Sequence, residues 1–215
     1  MKQKSPQEHE CDHILIVEGH SDLLFYAAVL HHLGRLNGVF IKAFHGKSKI
    51  LHRDLLADYL NAKLLAEKKT IGILIDADDT ADGTIQALSQ RLDEITGLKL
   101  TEGTWCEQEA SARIGFFVAP DGQSPGEIET LAWSALEEGA NIVAMKQAVD
   151  DYLGKMRQLG WPAHSPDKGR IGVYLAAAYD EDPRLGPGAR EGKFDFSAPG
   201  FARLRSFLEV LPQGD

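Results

Sequence analysis

Cysteine is nearly missing from this chain: Cys11 and Cys106 are the two among 215 residues. They have no metal-type spacing and cannot build a disulfide framework, so a reduced, cytoplasmic protein is expected. No apolar run reaches the roughly 18 residues of a membrane-spanning helix, and no membrane association is expected. The opening MKQKSPQEHE has two lysines but no apolar stretch behind them, which does not read as a secretory signal. No G-x-G-x-x-G follows a strand pattern, leaving a dinucleotide fold unsupported. HGKS at 45–48 lacks the glycine that a phosphate-binding P-loop needs five residues before Gly46, where Ile41 stands. The eight histidines form neither H-E-x-x-H nor a zinc spacing. Trp105, Trp133 and Trp161 are scattered, which favours local packing over a base-stacking platform.

Acid is also missing where it matters. From Leu23 to Arg53 there is no Asp or Glu, while Arg35, Lys42, Lys47, Lys49 and Arg53 are basic. Lys155 to Arg205 holds nine Lys or Arg against six Asp or Glu, a local +3 within a net charge of −9. An acidic total argues against strong non-specific binding to nucleic acid. It does not exclude a local basic groove beside an acidic site.

What is present is an alternation of patterns. HILIVE, VFIKAF and TIGILIDA read as buried strands, separated by helical stretches at 20–34, 50–69 and 84–97. That order predicts an α/β fold with a mostly parallel sheet flanked by helices. Strand, turn and strand follow up to Asp121-Gly122. Helices are then expected at PGEIETLAWSALEEG, NIVAMKQAVDDYLGKMRQLG and HSPDKGRIGVYLAAAYD, the last starting near Ser165. PRLGPGAREGKFDF reads as a Gly/Pro-rich loop, and PGFARLRSFLEVL as a last short helix. The expected organisation is a flexible arm at 1–12 and one domain at 13–215, with a core to about 132 and a helical C-terminal elaboration over 133–215.

The first strand ends on Glu18, although an unpaired buried charge is expensive. The third ends IDADD, and Asp76 and Asp78 are two apart, so in an extended strand they point to one side. At the carboxyl edge of a parallel sheet that side faces the ligand crevice. Glu18, Asp76 and Asp78 are therefore candidates for a hard-cation site, with Mg²⁺ or Mn²⁺ open to substrate phosphates. Asp79 and Asp82 read as caps of the following helix. The loop at 45–48 offers backbone N–H groups, with Gly46, Lys47 and Ser48 as candidates to meet a phosphate.

A strand ending Val17-Glu18-Gly19, with Asp22 after it, and a later strand ending Ile75-Asp76-Ala77-Asp78 resemble the Toprim domain over about residues 13–132. The whole chain resembles stand-alone Toprim-like proteins of the DUF3226 type, related to the Toprim domain of OLD-family nucleases; GFFVAPDGQSPGEIETL, SPDKGRIGVYLAA and GKFDFSAPGFARLRSFL share that likeness. The resemblance implies Glu18 as catalytic acid/base or metal ligand, and Asp76 and Asp78 as Mg²⁺ ligands. It implies a second acidic cluster at Glu127 and Glu129; two apart on a helix they do not share a face, and Glu129 is preferred as the ligand. Lys168 would neutralise a phosphate in the transition state, and Gly19 is a candidate, with the 45–48 loop, to bind the phosphate. The implied activity is Mg²⁺-dependent phosphodiester chemistry on nucleic acid, DNA or RNA, most simply hydrolysis by a nuclease.

Two other readings stay open. Asp76-Ala77-Asp78-Asp79-Thr80 fits D-x-D-x-T, resembling the nucleophile motif of haloacid-dehalogenase-type phosphatases, though those place it on their first strand. The chain would alternatively be a non-catalytic Toprim module acting through a partner ATPase, since no ATPase motif stands in it.

Overall fold

Apolar runs rich in β-branched residues suit strands covered on both faces. In the computed structural model they form β1 (His13–Val17), β2 (Val39–Ala43), β3 (Thr70–Asp76), a two-residue β4 (Trp105–Cys106) and β5 (Arg113–Ala119). The structure describes residues 7–107, 111–136, 139–179 and 181–213. The sheet order is β2-β1-β3-β5-β4, parallel throughout except for the antiparallel β4–β5 pair. The fold is therefore α/β, with a mostly parallel sheet flanked by helices. β1 and β3 lie side by side, so Glu18 and Asp76 emerge together at the carboxyl edge.

Strand alternation sorts the apolar side chains into two layers. Leu15, Val17, Leu74 and Phe117 face α1 (His20–His32) and the helices that follow β5. Ile14, Ile16, Ile71, Ile73 and Ile75 face α2 (Lys47–Ile50), α3 (Arg53–Tyr59), α4 (Ala62–Glu67) and α5 (Ala81–Thr96). The 50–69 stretch, with its leucines at helical spacing, is broken into short pieces. Asn61 accounts for one break, because its side chain accepts the Leu64 N–H at 3.0 Å and starts α4 afresh. Thr80, rather than Asp79 or Asp82, is the cap of α5, its side chain accepting the Gly83 N–H.

The C-terminal elaboration comprises α6 (Ile128–Ser134), α7 (Ala140–Gln158), α8 (Pro166–Ala178), α9 (Leu185–Arg190) and α10 (Ala202–Leu208). α8 starts as its sequence predicts, with Ser165 as cap accepting the Lys168 N–H. α9 does not follow expectation: LGPGAR is a buried helix, not a loop. Its glycines serve close approach, because a Cβ on Gly186 would overlap the Ser21 carbonyl oxygen of α1, and one on Gly188 would lie 2.6 Å from Leu175 of α8.

Of the expected arm, residues 1–6 lie outside the described residues. Glu8–Glu10 form a 3-10 turn, Cys11 is buried, and Lys68 Nζ donates to the Glu8 and Cys11 carbonyls at 2.8 Å. Trp105 stacks on Phe207 and Trp133 is buried, but Trp161 is 73% exposed and does not pack locally. Among the described residues no helix is long and apolar enough to cross a membrane.

Candidate active site

The site is built where β1 and β3 end. Glu18 is half-buried, and its Oε1 accepts the backbone N–H of Asp76 at 2.8 Å, which fixes the two strand ends to each other. Asp76 follows Gly72 and Leu74 on the α1 side of β3, so its carboxyl turns toward α1, α6 and α8. Its Oδ1 accepts the Ile128 N–H at 2.9 Å. Ile128 is the first residue of α6, whose amino end carries free N–H groups and a partial positive charge.

The loop between β5 and α6 delivers that helix. Gly126 exchanges two backbone hydrogen bonds with Asp78, at 2.7 and 2.8 Å, and so fastens the loop to the end of β3. Gly126 has φ +133°, and a Cβ there would sit 2.6 Å from Thr130 Oγ1. Glycine is needed on both counts.

Asp78 is not where the extended-strand argument puts it. The strand stops at Asp76, and Asp78 adopts φ +53°, so the two-residue alternation fails between them. Its carboxylate is half exposed and bonds to Lys47 Nζ at 2.8 Å, in a cleft with Leu51, Thr80 and Thr84 on the α5 side. Asp76 and Asp78 thus face different sides of the sheet edge. The nucleophile and acid/base pair that a D-x-D-x-T phosphatase needs does not assemble.

The 45–48 loop is likewise committed to internal bonds. The Gly46 N–H donates to the Glu18 carbonyl at 2.8 Å, and the Gly19 N–H donates to Asp22 Oδ2 at 2.7 Å. Lys47 Nζ donates to the carbonyls of Asp76 and Ala77 as well as to Asp78. Ser48 is exposed. These groups hold the strand ends in place, a role the motif alone did not suggest.

Glu127 and Glu129 do share a side. Glu127 is the extended cap residue before α6, at φ −128° and ψ 177°, so the alternation of an extended chain applies rather than helical spacing. Lys168 Nζ lies 2.8 Å from Glu127 Oε2 and 3.9 Å from Glu129 Oε2. Ser165 Oγ also donates to Glu127 at 3.1 Å, and Asp167 accepts from Thr130 Oγ1 at 2.7 Å, so α8 is seated on the start of α6.

The assembled group is Glu18, Asp22, Asp76, Glu127, Glu129 and Lys168, with the buried Tyr26 hydroxyl within its field. Burial drives Glu18 and Glu129 from 4.5 to about 7. It also raises Asp22, and it lifts Asp76 well above the usual carboxylate range, where Glu18, Asp22 and Glu129 push further and Lys168 opposes. Asp22 and Tyr26 were given no role by the sequence, and Glu127 was placed on a different face from Glu129. The i+3 position of Asp22 after Gly19 was the available signal, as a side chain there reaches back to the strand end.

The donor set fits a hard divalent cation. All the acceptors are carboxylates, several are destabilised as anions, and Glu129 Oε2 is buried without a hydrogen-bond partner. Among the described residues no three His, Cys, Asp or Glu side chains form a ready metal cage. Mg²⁺ does not require one, since it takes one or two carboxylates directly and keeps waters.

A family model described as a protein of unknown function (DUF3226) matches residues 12–213. The chain belongs to the DUF3226 family. Two solved structures of the C-terminal region of the Xanthomonas campestris pv. campestris OLD protein are similar to this DUF3226 chain. The one phased with mercury is 17% identical with a TM-score of 0.47, covering 94% of each chain. The one phased with iodine is 18% identical with a TM-score of 0.45, again over 94% of each chain. None of the curated proteins matches this DUF3226 member.

Proposed function

We propose that this protein hydrolyses phosphodiester bonds of nucleic acid with the help of Mg²⁺ or Mn²⁺. The observation that carries this reading is the desolvated carboxylate group at the carboxyl edge of the parallel sheet, with the orphaned Glu129 Oε2 inside it and Lys168 at its rim. Asp76 and Glu129, supported by Asp22, would hold the cation, which when bound supplies Lewis-acid polarisation of a phosphoryl oxygen. Glu18, with a carboxyl near 7, is suited to accept or return a proton at neutral pH. Lys168 is half exposed and would exchange its contact with Glu127 for a non-bridging phosphate oxygen, stabilising the charge that grows there.

A module that works with a partner ATPase, which the Toprim resemblance implies, has one observation in its favour. Lys168 is closed onto Glu127 and Glu129, and α8 would have to shift before a phosphate could use it. The test is cleavage of supercoiled plasmid and of labelled single-stranded DNA and RNA with Mg²⁺ or Mn²⁺, comparing wild type with Asp76→Asn. Metal-dependent cleavage lost in the variant supports hydrolysis and identifies the polymer. No cleavage, with calorimetric Mn²⁺ binding that needs Asp76, supports the partner-dependent module. With neither cleavage nor metal binding the hydrolase reading fails and a non-catalytic scaffold remains.

A further inference from the structure

The second half of the acid-free stretch, from β2 to α2, borders one groove. β2 is an edge strand, and Lys42 and Phe44 lie on its α3 side, opposite Val39 and Ile41. Between this edge and α3 runs an open groove of about 420 Å³, walled by Lys42, Phe44, His45, Lys49, Leu55 and Tyr59. Its floor is rigid: Phe44 and Tyr59 meet edge to face at 5.2 Å, and Lys42 Nζ lies 5.4 Å over the Tyr59 ring. Among the described residues Asp58 is the acid on its wall. Among the described residues neither Lys42 nor Lys49 pairs with a carboxylate. In a chain of net charge −9, Lys42, Lys49 and His45 against Asp58 give this groove a local excess of basic groups.

The groove ends beside the 45–48 loop, across the carboxyl edge of the sheet from the carboxylate group. Gly46 and Lys47, flanked by the groove residues His45 and Lys49, are bonded to Glu18 and to the end of β3. His45 is exposed and holds φ +60°, a left-handed conformation that is unfavourable for a non-glycine residue. We infer that this groove binds the sugar-phosphate backbone of a polynucleotide strand, which then crosses the carboxyl edge of the sheet to reach the carboxylate site. Lys42 and Lys49 meet successive phosphates, and Tyr59 and Leu55 offer the apolar contact that a sugar or base needs. The inference rests on the hydrolase reading for what happens at the end of the groove, not for the binding itself.

The experiment is fluorescence anisotropy of labelled oligo(dT) and oligo(U) with full-length Asp76→Asn protein, titrated from 25 to about 200 mM salt, as backbone contacts demand. Lys42→Glu/Lys49→Glu is compared with Lys155→Glu/Arg157→Glu, an exposed basic pair on α7. Loss of at least tenfold in affinity in the first, a salt slope smaller by about 1.4 as two single-strand phosphate contacts would give, and less than twofold change in the second support the groove. The preferred polymer separates DNA from RNA. Should the first pair unfold the protein, the exposed pair His45→Glu/Lys49→Glu serves in its place. Equal losses in both pairs, no loss in either, or no binding at all would overturn the groove. Cleavage assays keep the two readings apart. Wild-type cleavage undiminished by Lys42→Glu/Lys49→Glu removes the groove and leaves the hydrolase. Groove-dependent binding without cleavage removes the hydrolase and leaves the groove.

Discussion

The carboxylate of Asp76 caps α6 from 52 residues away, accepting the Ile128 N–H at 2.9 Å. One side chain therefore joins the candidate chemistry to the architecture, and its variants separate the two. Asp76→Ala leaves the Ile128 N–H without a partner inside the protein, at a cost of about 1–3 kcal/mol. Asp76→Asn keeps an acceptor oxygen and removes a carboxyl that burial already holds well above its usual range. Urea denaturation at pH 8 should show Asp76→Ala clearly destabilised and Asp76→Asn near wild type, with divalent-cation binding lost in both.

Glu129 gives a pH dependence of a defined sign. Its carboxyl titrates at about 7 in the folded protein against 4.5 as a free side chain, so the native state holds that proton more tightly. Folding stability then falls as pH rises from about 4.5 to 7, and levels off above. The contribution is about 3 kcal/mol for a shift of this order. Glu129→Gln should flatten that part of the curve, leaving the similar contribution of Glu18. Mn²⁺ at pH 8 should raise the melting temperature of wild type more than that of Glu129→Gln, because the ionised carboxylate is what the cation repays.

Lys47 and Asp78 divide a structural load unequally. Lys47 donates to two backbone carbonyls and one carboxylate, and it is largely buried; Asp78 is half exposed. Lys47→Met should cost roughly 2 kcal/mol, since the carbonyls of Asp76 and Ala77 lose a charged donor. Asp78→Asn should cost less than about 1 kcal/mol, as surface ion pairs do. Chemical denaturation of the single and double variants tests this; equal costs would mean that the ion pair, not the carbonyl clasp, does the holding.

The strands and most helices were legible because burial on both faces writes itself as apolar runs, and because Ser165 carries a capping hydroxyl ahead of α8. Glu18 and Asp76 were legible for the same reason: a charge ending a buried strand has to be explained. Asp78 was misread because one backbone torsion, set by the pairing with Gly126, ended the strand two residues early. Glu127 was misread because an extended cap looks like helix in sequence. α9 was missed because glycine and proline signal a loop unless a neighbouring backbone lies against them, and no local pattern reveals Ser21 above Gly186.

That last contact is measurable. Gly186→Ala places a methyl against a fixed carbonyl oxygen of α1, whereas Gly188→Ala meets the flexible side chain of Leu175. In a loop, both changes would stabilise slightly by restricting the unfolded chain. In the packed helix, Gly186→Ala should destabilise by about 1–3 kcal/mol and Gly188→Ala by less. Thermal melts of the two variants give the order directly.

Lys168 is the one cation that reaches into the carboxylate group from α8, and its removal should act in two separable ways. Its charge holds the Glu129 carboxyl lower than burial alone would place it. Lys168→Met should therefore move the Glu129 titration to higher pH, which NMR of side-chain-labelled glutamate would detect without any activity. If the hydrolase reading is right, the same variant should also lower kcat by about 10²–10³, the loss seen when one donor to a transition-state oxyanion is removed. KM should change little, because the contact is strongest where charge develops. Lys168→Arg keeps the charge and should leave the Glu129 titration near its wild-type position. A kcat loss equally deep in Lys168→Arg would mean that the position of the ammonium, and not the field it supplies to Glu129, is what the reaction needs.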